Sequence, residues 1–222
     1  PHGATIAITG SDFGSSVAMW RSVVIAPGET VSFGHTKTGA RCYLCVAGGI
    51  DAPMWLGSAS AHLHSGFGGG PIKKGDVLEV GPAHGVRAAH VNLQHDRTVL
   101  RVTPGLQGEG LTGTYRVTEE ANRLGIRLEG ESVTPLVASI ISEGAPLGAV
   151  QVTPSGQLII LGVEQQTAGG YPKVANVIAA DLWKLGQIRP RDEVRFTTIS
   201  FEQARALLIE QEAWLQQAIQ HD

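Results

Sequence analysis

The chain has 222 residues, a formal net charge of −3 and a charged fraction of 17%. That length suffices for one large domain or two small barrels, each with a real core. Its few Lys and Arg are scattered rather than gathered in a stripe, which argues against nucleic acid, and no apolar run approaches the roughly 20 residues of a membrane helix.

Glycine stands out at 29 residues, with 11 prolines, and helix formers are sparse until residue 200. Such a mix predicts short strands joined by many turns, an all-β chain. Residues 4–9 (ATIAIT) alternate and read as the first strand; they are too short, and lack the charged lead, for a signal peptide. Residues 22–25 read as the second strand. Ala26-Pro27-Gly28-Glu29 is then a turn that launches a strand at 30–33. The same phrase recurs as Lys74-Gly75-Asp76-Val77 before 78–80, and as Pro190-Arg191-Asp192-Glu193 before 194–198. Each is a tight polar turn carrying a carboxylate and feeding a strand.

Cys42 and Cys45, the two cysteines, form a C-x-x-C spacing within a segment that reads as a strand. Residues three apart on a strand point to opposite faces, so they are expected to be small apolar fillers rather than a dithiol or shared metal ligands. Reduced cysteines agree with a cytoplasmic protein. Residues 57–70 are a Gly-, Ser- and His-rich loop, in which His62 and His64 lack the further ligands a metal requires.

Residues 99–103 are a strand and 104–112 a loop, and the Gly-rich stretch near 103–112 suggests a division into regions 1–105 and 106–222. Short strands follow at 115–118, 127–128, 149–152 and 158–161, the last two flanking a hairpin turn at Pro154-Ser155-Gly156. A β-branched strand is expected at 174–178 and one helical turn at 181–185. The end is helical: Ser200 with Gln203 makes a capping box, and Ala204, Leu207, Leu208, Trp214, Leu215 and Ala218 form an apolar stripe expected to pack on the chain's own barrel.

Six phrases, in order, carry a family resemblance. They are Gly39-Ala40-Arg41-Cys42-Tyr43-Leu44-Cys45-Val46-Ala47-Gly48-Gly49-Ile50-Asp51 with Pro53 and Leu56-Gly57-Ser58; Gly66-Phe67-Gly68-Gly69 with Lys74-Gly75-Asp76; Arg101-Val102 with Pro104-Gly105 and Gln107; Asn122-Arg123-Leu124-Gly125-Ile126-Arg127-Leu128-Glu129-Gly130; Ser142-Glu143-Gly144 with Pro146-Leu147-Gly148-Ala149-Val150-Gln151-Val152; and Gln166-Thr167-Ala168-Gly169-Gly170-Tyr171-Pro172-Lys173-Val174-Ala175. Together they resemble the family known as the C component of 5-oxoprolinase, allophanate hydrolase subunit 2 or biotin-dependent carboxyltransferase, a relative of the urea carboxylase carboxyltransferase domain. The resemblance implies cyclophilin-like β-barrels with a few short helices, a cytoplasmic location and a subunit-B-like partner, fused in some relatives. The family's Gly-rich opening stretch is expected before Pro1, and the loop after Gln107 is shorter than the family's.

The sequence holds no G-x-x-x-x-G-K-[ST] phosphate loop, and the glycine run 105–110 lacks the dinucleotide fingerprint. No bound cofactor is therefore assigned to this chain. Gly169-Gly170 leaves room for a ligand, Tyr171-Pro172 is a candidate cis peptide, and Lys173 at the head of a strand suits a carboxylate, carbamate or phosphate. Glu143 is a candidate base or orienting group and Gln151 a partner for a lactam or ureido group; Arg123 and Arg127 are carboxylate-binding candidates or structural ties. The expected catalytic residues are Lys173 and Glu143, with Tyr171, Gln151, Arg123, Arg127, Gly169 and Gly170 binding substrate. Three functions fit. The first is a subunit of a composite ATP-dependent 5-oxoprolinase, with ATP used by the complex of its A, B and C components on a small lactam. The second is carboxyl transfer from carboxybiotin to urea, with biotin on another domain. The third is a non-catalytic regulator that engages a kinase-inhibitor-like partner.

Overall fold

Alternation of β-branched and polar residues sets the strands, and glycine-rich turns end them. In the computed structural model, which describes residues 3–36, 38–83 and 96–220, the chain divides into two units. One is Pro1–His35 with Cys42–Val91, the other Thr36–Arg41 with Asn92–His221.

The first unit is built on a three-stranded antiparallel sheet. Strand β1 (Ala4–Gly10) lies between β2 (Ser22–Ile25) and β3 (Cys42–Val46). Ile6, Ile8 and Ile25 form its small core, with Val31 and Cys42 packed against them. A two-residue ladder joins β4 (Ile50–Asp51) to β5 (Glu79–Val80). The strand expected at 30–33 does not form. Ser32 instead exchanges bonds with Ser16 through one backbone pair and the Ser16 hydroxyl, so that segment has fixed loop geometry without a ladder. Cys42 and Cys45 lie on opposite sides of β3 as its alternation requires, but only Cys42 packs against the core; Cys45 is exposed and fills nothing. Burial pushes the Cys42 thiol up, away from a reactive thiolate. Replacing both cysteines with alanine should lower stability by about 1 kcal/mol or less, all of it from Cys42. Thermal melting of the two single variants checks this, and a large loss at Cys45 would contradict it.

The second unit is a closed seven-stranded barrel. Its members are β6 (Val99–Pro104), β7 (Gly113–Val117), β8 (Gly125–Glu129), β10 (Ala149–Val152), β11 (Leu158–Leu161), β13 (Lys173–Val177) and β14 (Glu193–Thr198), in the spatial order β10-β11-β8-β7-β14-β6-β13. Only the β14–β6 pair is parallel. Contacts divide the chain ahead of the Gly-rich loop at 103–112, because β6 is itself a barrel strand held by β13 and β14. Leu100, Val102, Leu128, Val150, Leu158 and Ile160 lie in the core with almost no exposed surface. Outside the barrel, β9 (Glu143–Gly144) pairs with β12 (Ala168–Gly169) in a two-residue ladder.

After β13 the chain makes a 3-10 turn (Ala179–Asp181) and the short helix α1 (Leu182–Leu185); after β14 it ends in α2 (Phe201–Gln220). The capping box forms as expected, with Ser200 N–H donating to Gln203 and Gln203 N–H donating to the Ser200 hydroxyl. The expected stripe of α2 is half-buried, and Gln211 on the same face donates to the Ala180 carbonyl. The recurrent turn is physically the same in all three places. Glu29, Asp76 and Asp192 each accept a bond from the backbone N–H three residues earlier, at Ala26, Lys73 and Arg189. Each also donates its own N–H to that residue's carbonyl at 3.1 Å.

Candidate functional site

The site begins with an irregularity in the barrel. Along β10 and β13, Val150 faces Ala175 but the next residue, Gln151, faces Lys173, so Val174 is an extra residue on β13. Such a bulge breaks the alternation and re-aims the neighbouring side chain, and here that neighbour is Lys173. It also releases backbone groups that need partners. The loop at 104–110 supplies them: Gly105 and Gly110 donate to the Val174 carbonyl, and Gln107 N–H donates to the Lys173 carbonyl at 3.1 Å. This packing leaves no room for a side chain at Gly105, where a Cβ would lie 2.1 Å from the Lys173 oxygen. Gly108 and Gly110 likewise lie close against Val174 and the Thr198 side chain, so the glycines of this run permit close packing on β13 and β14.

Lys173 is held at both ends. Its backbone N–H donates to Gln107 Oε1 at 2.9 Å, and its ammonium donates to Glu143 Oε1 at 2.5 Å. Gln107 Nε2 donates to that same Glu143 oxygen at 3.3 Å. The Lys173 side chain is 6% exposed while that of Glu143 is 39% exposed, so the ammonium is buried and the carboxylate partly open to solvent. The bond from Lys173, and secondarily that from Gln107, hold Glu143 below its usual range, and it is a carboxylate at neutral pH.

Gln151, opposite Lys173, is 2% exposed, and its Nε2 has no hydrogen-bond partner. An unpaired buried donor costs about 1–3 kcal/mol. It lies beside Gly169, where a Cβ would come within 3.1 Å of it and within 3.0 Å of Gln166 Nε2. Gly169 pairs with Glu143 across the β9–β12 ladder, which brings that ladder to the same corner. Neither Gly169 nor Gly170 has a positive φ, so their role is close approach rather than unusual backbone angles. The Tyr171–Pro172 bond is trans, correcting the expected cis peptide, and Tyr171 is exposed at the edge.

Lys173, Glu143, Gln151 and Gly169 are therefore brought together, with Gly170 and Tyr171 in the segment that leads into Lys173. Arg123 and Arg127 are engaged elsewhere: Arg123 pairs with Glu164 at 3.0 Å and Arg127 with Glu120 at 3.5 Å, which favours structural ties. Gln107 is not among the expected site residues, although it is part of the third family phrase, with Pro104-Gly105. Only its four-way bonding, with Leu136 N–H on its carbonyl as well, reveals it. His62 is bonded through Nδ1 to the Ser65 hydroxyl at 2.6 Å, and among the described residues no group of three His, Cys, Asp or Glu is gathered for a metal. No helix among them is long and apolar enough to cross a membrane.

The arrangement offers a buried ammonium, a buried amide donor and a partly exposed carboxylate on a rigid barrel edge. It can bind a polar group carrying both an oxygen acceptor and a donor, and can stabilise negative charge as it develops on that oxygen.

Comparison with known proteins agrees with this architecture. The profile of the family described as "Carboxyltransferase domain, subdomain A and B" matches residues 1–198. The chain is 34% identical over 219 residues to the C component of the 5-oxoprolinase of Haemophilus influenzae, covering 90% of this chain and 69% of that protein. It is 32% identical over 213 residues to the corresponding 5-oxoprolinase component of Escherichia coli, covering 89% and 68%. Among solved structures, TTHA0988 superposes with a TM-score of 0.74 at 36% identity, over 88% of this chain but 42% of its own. The urea amidolyase of K. lactis superposes with a TM-score of 0.82 at 25% identity, over 96% of this chain and 15% of that much longer one.

Proposed function

This chain belongs to the family of the carboxyltransferase domain, subdomain A and B, and from that premise we propose that it forms the lactam-binding part of a composite ATP-dependent 5-oxoprolinase. The observation that carries the reading is the unpaired amide of buried Gln151 beside the Lys173–Glu143 pair. The lactam carbonyl of 5-oxoproline supplies the missing acceptor, and its ring N–H a donor for the partly exposed carboxylate. Opening a stable lactam requires activation of that carbonyl. In this reading Lys173 offsets negative charge gathering on its oxygen, and Glu143 accepts a proton. In this reading ATP is used by the complex of all three components. The names of the two bacterial relatives support both the reaction and the need for companions. The reading places the complex in the cytoplasm, where ATP is available.

Purified alone, the chain should show no ATP-dependent 5-oxoproline hydrolysis, and activity should appear when the A and B components are added. Robust turnover by the isolated chain would sink the composite reading. A second reading, carboxyl transfer to urea, is favoured by the superposition on the K. lactis urea amidolyase. There the Lys173 ammonium would meet the migrating carboxyl group, and biotin would arrive on a carrier domain outside this chain. Urea-dependent turnover with a biotinylated carrier, and none with 5-oxoproline, would decide for it.

A further inference from the structure

The bonding around Glu143 is asymmetric. Lys173 and Gln107 both donate to Oε1. Oε2, the second oxygen of a carboxylate held ionised and partly exposed, is left for a ligand. On the other side of the corner Gln151 keeps a buried donor without an acceptor. Gly169 links the two: it faces Glu143 in the ladder, and the position of its absent Cβ lies 3.1 Å from Gln151 Nε2. An acceptor and a donor carried by two residues that both neighbour Gly169 match a planar group that presents a C=O and an N–H along one edge. A primary amide or urea does so through the N–H syn to its oxygen, and a secondary amide does so only when cis, which in a small molecule means within a ring: a lactam or a cyclic urea.

We infer that this corner reads the cis-amide edge of its ligand, with Glu143 Oε2 accepting the ring N–H, the Gln151 amide donating to the carbonyl, and Gln107 positioning Glu143 so that Oε2 alone is free. The inference rests on the lactam reading above for its preferred ligand, and adds the residues that determine specificity and what they reject. Gln107 acts through Glu143 and is a positioning residue. Without the bond from its Nε2, the carboxylate can turn on its single tie to Lys173, and the acceptor loses its fixed direction.

The test is ligand binding to the full chain by calorimetry, with four probes: 5-oxoproline, N-methyl-5-oxoproline, 2-imidazolidinone and 1,3-dimethyl-2-imidazolidinone. Methylation removes a hydrogen bond to a charged acceptor and places a methyl group against it, so each methylated probe should bind about tenfold more weakly or worse than its parent. Glu143→Ala should bring that ratio close to one. Gln107→Glu keeps the acceptor for the Lys173 N–H but loses the donor to Glu143. It should shrink the ratio and make it depend on pH in the carboxylate range, a signature that a merely structural role for Gln107 would not produce. Thermal melting controls for folding of both variants. Equal binding of parent and methylated probes, or binding of none of the four, overturns the inference. If 2-imidazolidinone binds with the expected discrimination while 5-oxoproline does not, the edge reading stands and the 5-oxoprolinase assignment falls. If the reconstituted complex hydrolyses 5-oxoproline while the N-methyl compound competes equally well, the assignment stands and the edge reading falls.

Discussion

Replacing Lys173 with alanine is expected to lower kcat and kcat/KM of the reconstituted complex together, by about a hundredfold or more, the scale seen when one oxyanion donor is removed. The reason is local. The ammonium is buried, fixed by Glu143, and carried on a strand whose bulge and loop partners leave it no other direction. A charge so held needs no reorganisation as negative charge develops on a bound carbonyl, and its effect falls on the transition state more than on binding. KM should therefore change little. Arginine at this position should not fully restore the rate, because its planar fork does not reproduce a compact ammonium. Steady-state kinetics of the complex measure the effect, with thermal melting as the folding control. A folded Lys173→Ala complex with near-normal kcat would make Lys173 a structural partner of Glu143 and nothing more.

The parts of this site differ in how far they can be read from residue order. Strands 149–152 and 158–161 are legible to the residue, because apolar runs of that length bounded by Pro and Gly have few other uses. The capping box at Ser200 is legible for a similar reason: its two bonds are made within four consecutive residues. Lys173, Glu143 and Gln151 are candidates by residue type and phrase, and the structure gathers them. What brings them together is not visible in the sequence. A bulge belongs to a pair of strands, and nothing in the run Lys173-Val174-Ala175 says that Val174 will be the extra residue. The ladder of Glu143–Gly144 on Ala168–Gly169 is two residues long, too short for any periodicity. Gln107 looks like an ordinary loop residue until the bulge exposes backbone groups for it to bond. Arg123 and Arg127 show the converse: Arg123, just before β8, pairs with Glu164, and Arg127, within β8, pairs with Glu120, and sequence spacing alone does not separate that role from ligand binding. At 30–33 the turn forms but the strand does not, and the segment is held by Ser16 instead of a ladder.

Asp181→Ala should be the most destabilising single change in the barrel, by about 3–5 kcal/mol. Asp181 has no exposed surface, and four contacts from Arg101 and Lys184 converge on its carboxylate. Arg101 donates to it from its backbone N–H at 2.9 Å, from Nε at 3.0 Å and from Nη2, and the Lys184 ammonium lies 3.0 Å away while also donating to the Val99 carbonyl. These contacts tie the 3-10 turn and α1 to β6, the strand that closes the barrel between β13 and β14. Alanine would leave a buried ammonium without its counter-charge and a strand N–H without its acceptor, which is why the expected cost is that of a broken buried pair rather than of a surface bridge. Burial alone would push the Asp181 carboxyl up, but the bonds from Arg101 and then Lys184 outweigh it and hold the group below its ordinary value. The unfolded chain therefore binds this proton more readily than the folded one. The stabilisation is complete above the unfolded carboxylate pKa of about 3.9 and is lost as pH falls through the lower folded value. Denaturant unfolding followed from pH 7 down to pH 2 should show the wild-type protein losing stability at the acid end, and the Asp181→Ala variant starting lower and losing less. Parallel curves for the two proteins across that range would mean that Asp181 titrates alike in both states, and that the triad with Arg101 and Lys184 is not what fastens the turn to β6.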